Sequence, residues 1–385
     1  VVSEYQLPAQ FEAFTQARKD GFLRAKAIKE AGGHIAGTFC TFTPCELMDA
    51  AGVHPVSLGG MSPEPIPAAE RDLPKNLCPL IKSSYGFAVS DTCPYTYFSD
   101  LIVGETTCDG KKKMYELLGR MKDVYILQLP QGIDRSYALE MWTKELHRFR
   151  AALEEKFQVT ITDDALRQAA RVRNQLRQAR TALMELQKLD PPPFSGLGLY
   201  QLMDGLGFSF DLQANLQKLT GLTAQLKADY EAGKRPIPAG QKRILVTGCP
   251  IGGVLEKTVK IVEENGGVVV CFENCGGIKP TRYLVNTEAE DIMSAIARRY
   301  LNIGCAVMTP NTQRMELLPG LVEEFKVDGI LEIELQTCHP YTVERYEIKR
   351  LAGEMGIPFL AVDTDYSKAD VGQLTTRIAA FIEMI

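Results

Sequence analysis

The sequence has no long apolar run. Nowhere does it reach the roughly 18 successive apolar residues that a membrane-spanning helix needs. It also lacks a basic excess. The formal net charge is −5 over 385 residues, which offers no field to a phosphate backbone and argues against nucleic acid as a partner. Val1 to Phe14 is polar and mixed in charge, not the basic-then-apolar pattern of a secretory leader, so a cytoplasmic location is expected. Histidine is scarce. The four residues His34, His54, His147 and His339 show no zinc-type spacing, and there is no Cys-x-x-Cys. Ferredoxin-type cysteine spacing is missing too. Gly104-Glu-Thr-Thr-Cys-Asp-Gly110-Lys111 has five residues between its glycines where a phosphate loop has four, and Lys112 stands where Ser or Thr is required. Gly196-Leu-Gly198 lacks the third glycine of a dinucleotide fingerprint. No self-contained ATP site is expected.

Cysteine, by contrast, is plentiful: ten residues, at 40, 45, 78, 93, 108, 249, 271, 275, 305 and 338. In a reducing compartment a disulfide framework explains them poorly. The plain alternative is that they are small buried hydrophobes. Their places along the chain decide between the readings.

The pattern of elements predicts an α/β fold with two doubly wound parallel-sheet domains, Rossmann- or flavodoxin-like, and a helical subdomain between them. The N-terminal α/β domain covers residues 1–133 and the helical subdomain with its linker 134–240. The C-terminal α/β domain covers 241–385. In the first domain, helix 10–31 is followed by strands at 34–39, 53–58, 101–103 and 124–129, with Thr43-Pro44 expected to open a short helix with Thr43 as its N-cap. Residues 61–76 read as a loop. Strong helix formers fill 163–189 before Pro191-Pro192-Pro193. In the last domain, strands are expected at 244–246, 268–272, 330–335 and 359–362, and Gly304 to Met308 reads as strand or irregular loop.

Ligands of open parallel sheets sit beyond the carboxyl ends of the strands. Cys108, Cys249, Cys275 and Cys338 each follow an expected strand. Cys78, Cys93 and Cys249 precede proline, and Cys249, Cys275 and Cys305 touch glycine, so the backbone path there is special. Cys271, in the middle of Val-Val-Val-Cys-Phe, reads as core, and Cys45 as structural. Cys40 and Cys93 fit either role.

Longer motifs carry a resemblance. Asn76-Leu-Cys78-Pro-Leu-Ile-Lys-Ser-Ser-Tyr-Gly86, Val103-Gly-Glu-Thr-Thr-Cys108-Asp-Gly-Lys-Lys-Lys-Met-Tyr115 and Asp328-Gly-Ile-Leu-Glu-Ile-Glu-Leu-Gln-Thr-Cys338-His339 resemble three cluster-ligand segments of the 2-hydroxyacyl-CoA dehydratase and benzoyl-CoA reductase superfamily. Asp363-Thr-Asp-Tyr-Ser and the run Gly372 to Glu383 resemble its C-terminal segment. The resemblance implies that Cys78, Cys108 and Cys338 each give a thiolate to one cubane, thiolates being the soft donors that suit iron–sulfur clusters. Gly248-Cys249-Pro-Ile-Gly-Gly253, Glu273-Asn-Cys275-Gly-Gly277 and Gly304-Cys305 resemble the branch with a double-cubane [8Fe-9S] cluster. That branch implies Cys249, Cys275 and Cys305 as ligands of the second cubane, with Cys40 and Cys93 as alternatives for one of them.

It also implies an oxygen-sensitive homodimer. A separate ATP-hydrolysing iron–sulfur activator protein would feed it low-potential electrons, and it would reduce small molecules such as acetylene, hydrazine or azide. The alternative is an atypical 2-hydroxyacyl-CoA dehydratase subunit with a single [4Fe-4S] cluster. Lys82, Ser83, Gln336 and His339 neighbour the expected ligands and are candidates to hydrogen-bond cluster or substrate. Among them His339 is the expected proton donor, since an imidazole titrates near neutrality.

Overall fold

The computed structural model describes residues 17–385. The start of the expected helix 10–31 and the segment Val1 to Phe14 lie outside the described residues. Two sheets organise the chain. In the first, β1 (His34–Thr38), β2 (Val53–Ser57), β3 (Leu101–Glu105) and β4 (Val124–Leu127) lie in the order β2-β1-β3-β4, all parallel. In the second, β5 (Lys242–Gly248), β6 (Gly267–Phe272), β7 (Gly329–Leu335) and β8 (Phe359–Thr364) lie in the order β6-β5-β7-β8, again all parallel. The two sheets share one winding scheme. Each reverses direction between its first and third strands, β1/β3 and β5/β7, where this class of sheet opens a crevice. β6 and β7 are buried along their whole length; β6 accordingly reads as a nearly continuous apolar run, while β7 carries the buried Glu332 and Glu334.

Helices α1 (Ala17–Glu30), α2 (Cys45–Ala50), α3 (Ile66–Ala69), α4 (Pro79–Val89), α5 (Pro94–Phe98) and α6 (Asp109–Leu118) accompany the first sheet. The residues between the sheets form α7 (Ala138–Phe157), α8 (Asp163–Glu185), α9 (Gly196–Gly205) and α10 (Leu212–Glu231). With the second sheet run α11 (Val259–Glu264), α12 (Ile292–Leu301), α13 (Thr312–Glu324), α14 (His339–Glu354) and α15 (Val371–Met384). Polar caps fix several starts: the Thr162 side chain accepts from the Ala165 N–H at 3.1 Å to begin α8, and Asp291 accepts from the Ser294 N–H at 3.0 Å to begin α12. The middle helices pack on both sheets. α8 lies against α2, α7 against α12, and α9 against β6. Trp142, Phe149 and Leu183 therefore share one continuous core with Tyr115 of the first sheet's layer and Val246 of the second.

Two local expectations change, and one left open is settled. Thr43 does not cap α2; Pro44 occupies the N-cap, and the Thr43 hydroxyl donates instead to buried Glu105. A buried carboxylate is the stronger acceptor, and it wins the hydroxyl. The loop 61–76 contains the one-turn helix α3, with Pro67 inside its first turn. Residues 304–308 are irregular rather than a strand.

Candidate functional site

A cavity of about 1470 Å³ opens where the residues after β1, β3, β5, β6 and β7 converge. Eight of the ten cysteines line it: Cys40, Cys45, Cys78, Cys108, Cys249, Cys275, Cys305 and Cys338. Cys271 is buried in β6. Cys93 packs against a separate small core with Phe98 and Ile28. All six cysteines assigned to a cluster by resemblance thus face one space. So do Cys40 and Cys45.

Helix starts present three of these thiols. Cys78, Cys108 and Cys338 are the N-cap residues of α4, α6 and α14, and none of them spends its side chain on capping. A helix N-terminus carries a partial positive charge, which favours the thiolate form that binds metal. Proline supports two of the turns, at Pro79 and Pro340. Before Cys338 the backbone of Thr337 lies in the left-handed region at φ 61°. Before Cys249, Gly248 adopts φ 112°, and a Cβ there would stand 2.2 Å from the Ile333 carbonyl oxygen. Only glycine lets β5 approach β7 so closely and turn out into the cavity. The Leu335 N–H then donates to Cys249 Sγ at 3.1 Å.

The thiols fall into two groups. Cys338 lies beside Cys78 and Cys249 and near Cys108. The contact with Cys338, then burial, pushes the Cys78 thiol up; the contact with Cys249 and burial push Cys338 up, while Cys78 pulls it the other way. Cys40, Cys275 and Cys305 form the second group and interact through their charges. Burial raises Cys40 and Cys275, while Lys111 pulls Cys40 down and Lys279 pulls Cys275 down. Lys111 also feels Cys108 and so stands between the two groups, whereas the thiols that act on Lys279 are Cys275 and Cys305. Lys111 Nζ donates to the Phe39 carbonyl at 3.0 Å. Lys279 sits between Glu273 Oε1 at 2.9 Å and the Tyr341 hydroxyl at 3.1 Å, and that hydroxyl lies 3.7 Å from Cys305 Sγ. Burial opposes the charge of both lysines, but their anionic surroundings outweigh it and raise their pKa values.

The remaining candidates divide. His339 is exposed at the start of α14 and lines the cavity. Lys82 does not reach it: its amine is held by Glu70 Oε1 at 2.9 Å and the Lys75 carbonyl at 2.7 Å. Ser83 is tied to the backbone of Ser62. Gln336 is exposed outside the lining, with its N–H bonded to the Thr364 carbonyl at 2.8 Å.

Sequence reasoning passed over the cationic wall of the cavity, made of Arg173, Arg177 and Arg180 on α8 and Arg299 on α12. The spacing of four and three residues puts the α8 arginines on one face, which was the available signal.

A family model described as 2-hydroxyglutaryl-CoA dehydratase, D-component, matches residues 40–385. The chain belongs to this family. It is 48% identical over 380 residues, 98% of either chain, to YjiM of Escherichia coli (strain K12), whose name suggests a dehydratase subunit. It is 24% identical to the (R)-phenyllactyl-CoA dehydratase beta subunit of Clostridium sporogenes, over 94% of each chain. Over 94% of each chain it is also 22% identical to a benzoyl-CoA reductase subunit of Thauera aromatica. The 2-hydroxyglutaryl-CoA dehydratase family thus includes relatives named as dehydratases and as reductases. Among the described residues no three His, Cys, Asp or Glu side chains converge on a single-ion site. The donors are thiols spread around a large cavity with Lys111 and Lys279 beside them, a set that suits a multinuclear iron–sulfur cluster better than one ion.

Proposed function

We propose that this chain is a low-potential iron–sulfur reductase whose cavity holds a double-cubane [8Fe-9S] cluster. The observation that carries the reading is the gathering of eight thiols on one cavity, in two groups, with Lys111 and Lys279 beside them. Cys78, Cys108 and Cys338 are assigned to the first cubane. For the second we assign Cys275, Cys305 and Cys40. The charge interactions of Cys40 with the other two favour it over Cys249, whose thiol lies beside Cys338. Such a cluster supplies electrons of low potential to a small molecule. The residues of the chain do the rest. Helix N-termini and Lys111 and Lys279 stabilise the thiolates. His339, on the cavity wall, is the proposed proton donor. A separate ATP-hydrolysing iron–sulfur activator is the proposed electron source, and a homodimer the proposed assembly.

Iron and sulfide per chain in anaerobically purified protein, with its electron paramagnetic resonance spectrum, test this reading. About eight irons per chain are expected. Cys40→Ser should lose about half of them, whereas Cys249→Ser should retain most. The dehydratase-named relatives favour a second reading, a 2-hydroxyacyl-CoA dehydratase subunit with one [4Fe-4S] cluster. About four irons together with acyl-CoA binding would establish that one instead.

A further inference from the structure

One stretch of the cavity wall gathers four arginines. Arg173, Arg177 and Arg180 project from one face of α8, and Arg299 joins them from α12. Like charges at this helical spacing repel one another. Three of the four are compensated. Arg173 forms a bidentate pair with Asp49, at 2.5 and 2.8 Å. Arg177 meets Glu46 Oε1 at 2.6 Å and the Tyr300 hydroxyl at 3.2 Å. Arg299 donates to the carbonyls of Tyr283, at 3.2 Å, and Pro280. Arg180 has nothing comparable. Its Nε is buried without a partner among the described residues. The charged groups acting on it are Arg177, Arg173 and Arg299, all of its own sign. Burial and then these neighbours push its pKa down to about 10. A buried unpaired donor is costly, and a cation among cations more so. Such an arrangement persists where a ligand completes it. Because a guanidinium presents a planar fork of N–H donors, its matching ligand is an oxyanion.

We propose that this wall is an oxyanion subsite in which Arg180 binds a carboxylate or phosphate group of the substrate, supported by Arg177 and Arg299. The inference rests on reading the cavity as the substrate site. It assigns the substrate to the acids, not to neutral gases alone.

Equilibrium binding of glutarate and of inorganic phosphate to the anaerobically purified protein, read by calorimetry and by the rise in Tm, tests it. At least one probe should bind, more weakly as salt is raised. Arg180→Ala should weaken that binding on the order of tenfold or more, and Arg180→Lys should fall between. Arg350→Ala, on the exposed side of α14 where Arg350 pairs with Glu347 and Glu354, should bind like wild type. Without ligand, Arg180→Ala should melt at or above the wild-type Tm, because it removes a cation that nothing compensates. Preference for glutarate identifies a carboxylate and preference for phosphate a phosphoryl group. Binding of neither, or equal binding by wild type and Arg180→Ala, overturns the subsite, as does a lower Tm of the unliganded variant, which would make Arg180 structural. Iron content is read separately. An iron-free chain that still binds the anion through Arg180 would remove the cluster reading and leave the subsite standing.

Discussion

Thr337 holds a backbone conformation that a β-branched side chain resists. Its φ of 61° lies in the left-handed region, immediately before Cys338. Such strain costs on the order of 1–3 kcal/mol and persists where the surrounding structure imposes it. The imposition is visible here: the N–H of Gln336 bonds the Thr364 carbonyl, that of Cys338 bonds the Leu335 carbonyl, and α14 must start at His339. Thr337→Gly should relieve the strain and, after the added entropy of an unfolded glycine, stabilise the chain by ~1 kcal/mol. A thermal melt reads this as a higher Tm, and a Tm below wild type would show that the Thr337 side chain contributes more than its backbone costs. At this scale sequence adjacency is a weak guide. Lys82 lies one helical turn from Cys78, yet its amine turns to Glu70 and Lys75. His339, next to Cys338, does face the cavity.

Beneath the second thiol group, one side chain joins five segments of the fold. Arg314 of α13 is fully buried. It donates to Thr247 Oγ1 of β5 at 2.7 Å, lies 3.4 Å from Glu273 just after β6, and pairs with Glu332 of β7 at 3.0 Å and with Glu344 of α14. Glu273 in turn holds Lys279 beside Cys275 and Cys305. Arg314→Met would leave these carboxylates buried without their cation, a loss of about 3–5 kcal/mol. Urea unfolding should show a lower midpoint at unchanged slope, whereas a midpoint equal to wild type would mean that the network contributes nothing net. The elements themselves were largely legible, because β6 is a run of apolar residues bounded by turn residues and the helices carry strong formers. The strand-end rule also singled out Cys108, Cys249, Cys275 and Cys338. Cys40 obeys the same rule two residues after β1, but it precedes no proline and touches no glycine, so its flanking residues gave it no separate signal. The arginines of α8 were not legible as a site. Arginine every three or four residues on a helix reads as a solvated face, and only the packing of α8 on α2 turns that face inward.

At the scale of the whole molecule, two sheets with the same strand order place Cys40 and Cys249 after their first strands, and Cys108 and Cys338 after their third. The cavity thus gathers the crevices of both sheets, and this convergence brings residues distant in sequence together. Burial over so large a core also traps carboxyl groups. Glu105, Glu263 and Glu332 are each pushed up to about 7, in every case chiefly by burial. A carboxyl whose folded pKa is raised binds its proton more tightly in the native state than in the unfolded chain. Its contribution is therefore fully present below the unfolded value of roughly 4.3 and is lost as pH rises to about 7. Glu263 isolates the effect because it does not line the cavity. It lies on α11 and accepts the N–H of Gly196 at 2.6 Å at the start of α9. Glu263→Gln has no proton to lose. Between pH 5 and 8 wild type should lose stability relative to this variant, by up to ~3 kcal/mol from a shift of this size. Urea midpoints of both proteins across that range measure the difference. If the two midpoints stay parallel from pH 5 to 8, Glu263 ionises normally in the folded chain, and burial beneath the second sheet is not what sets its charge.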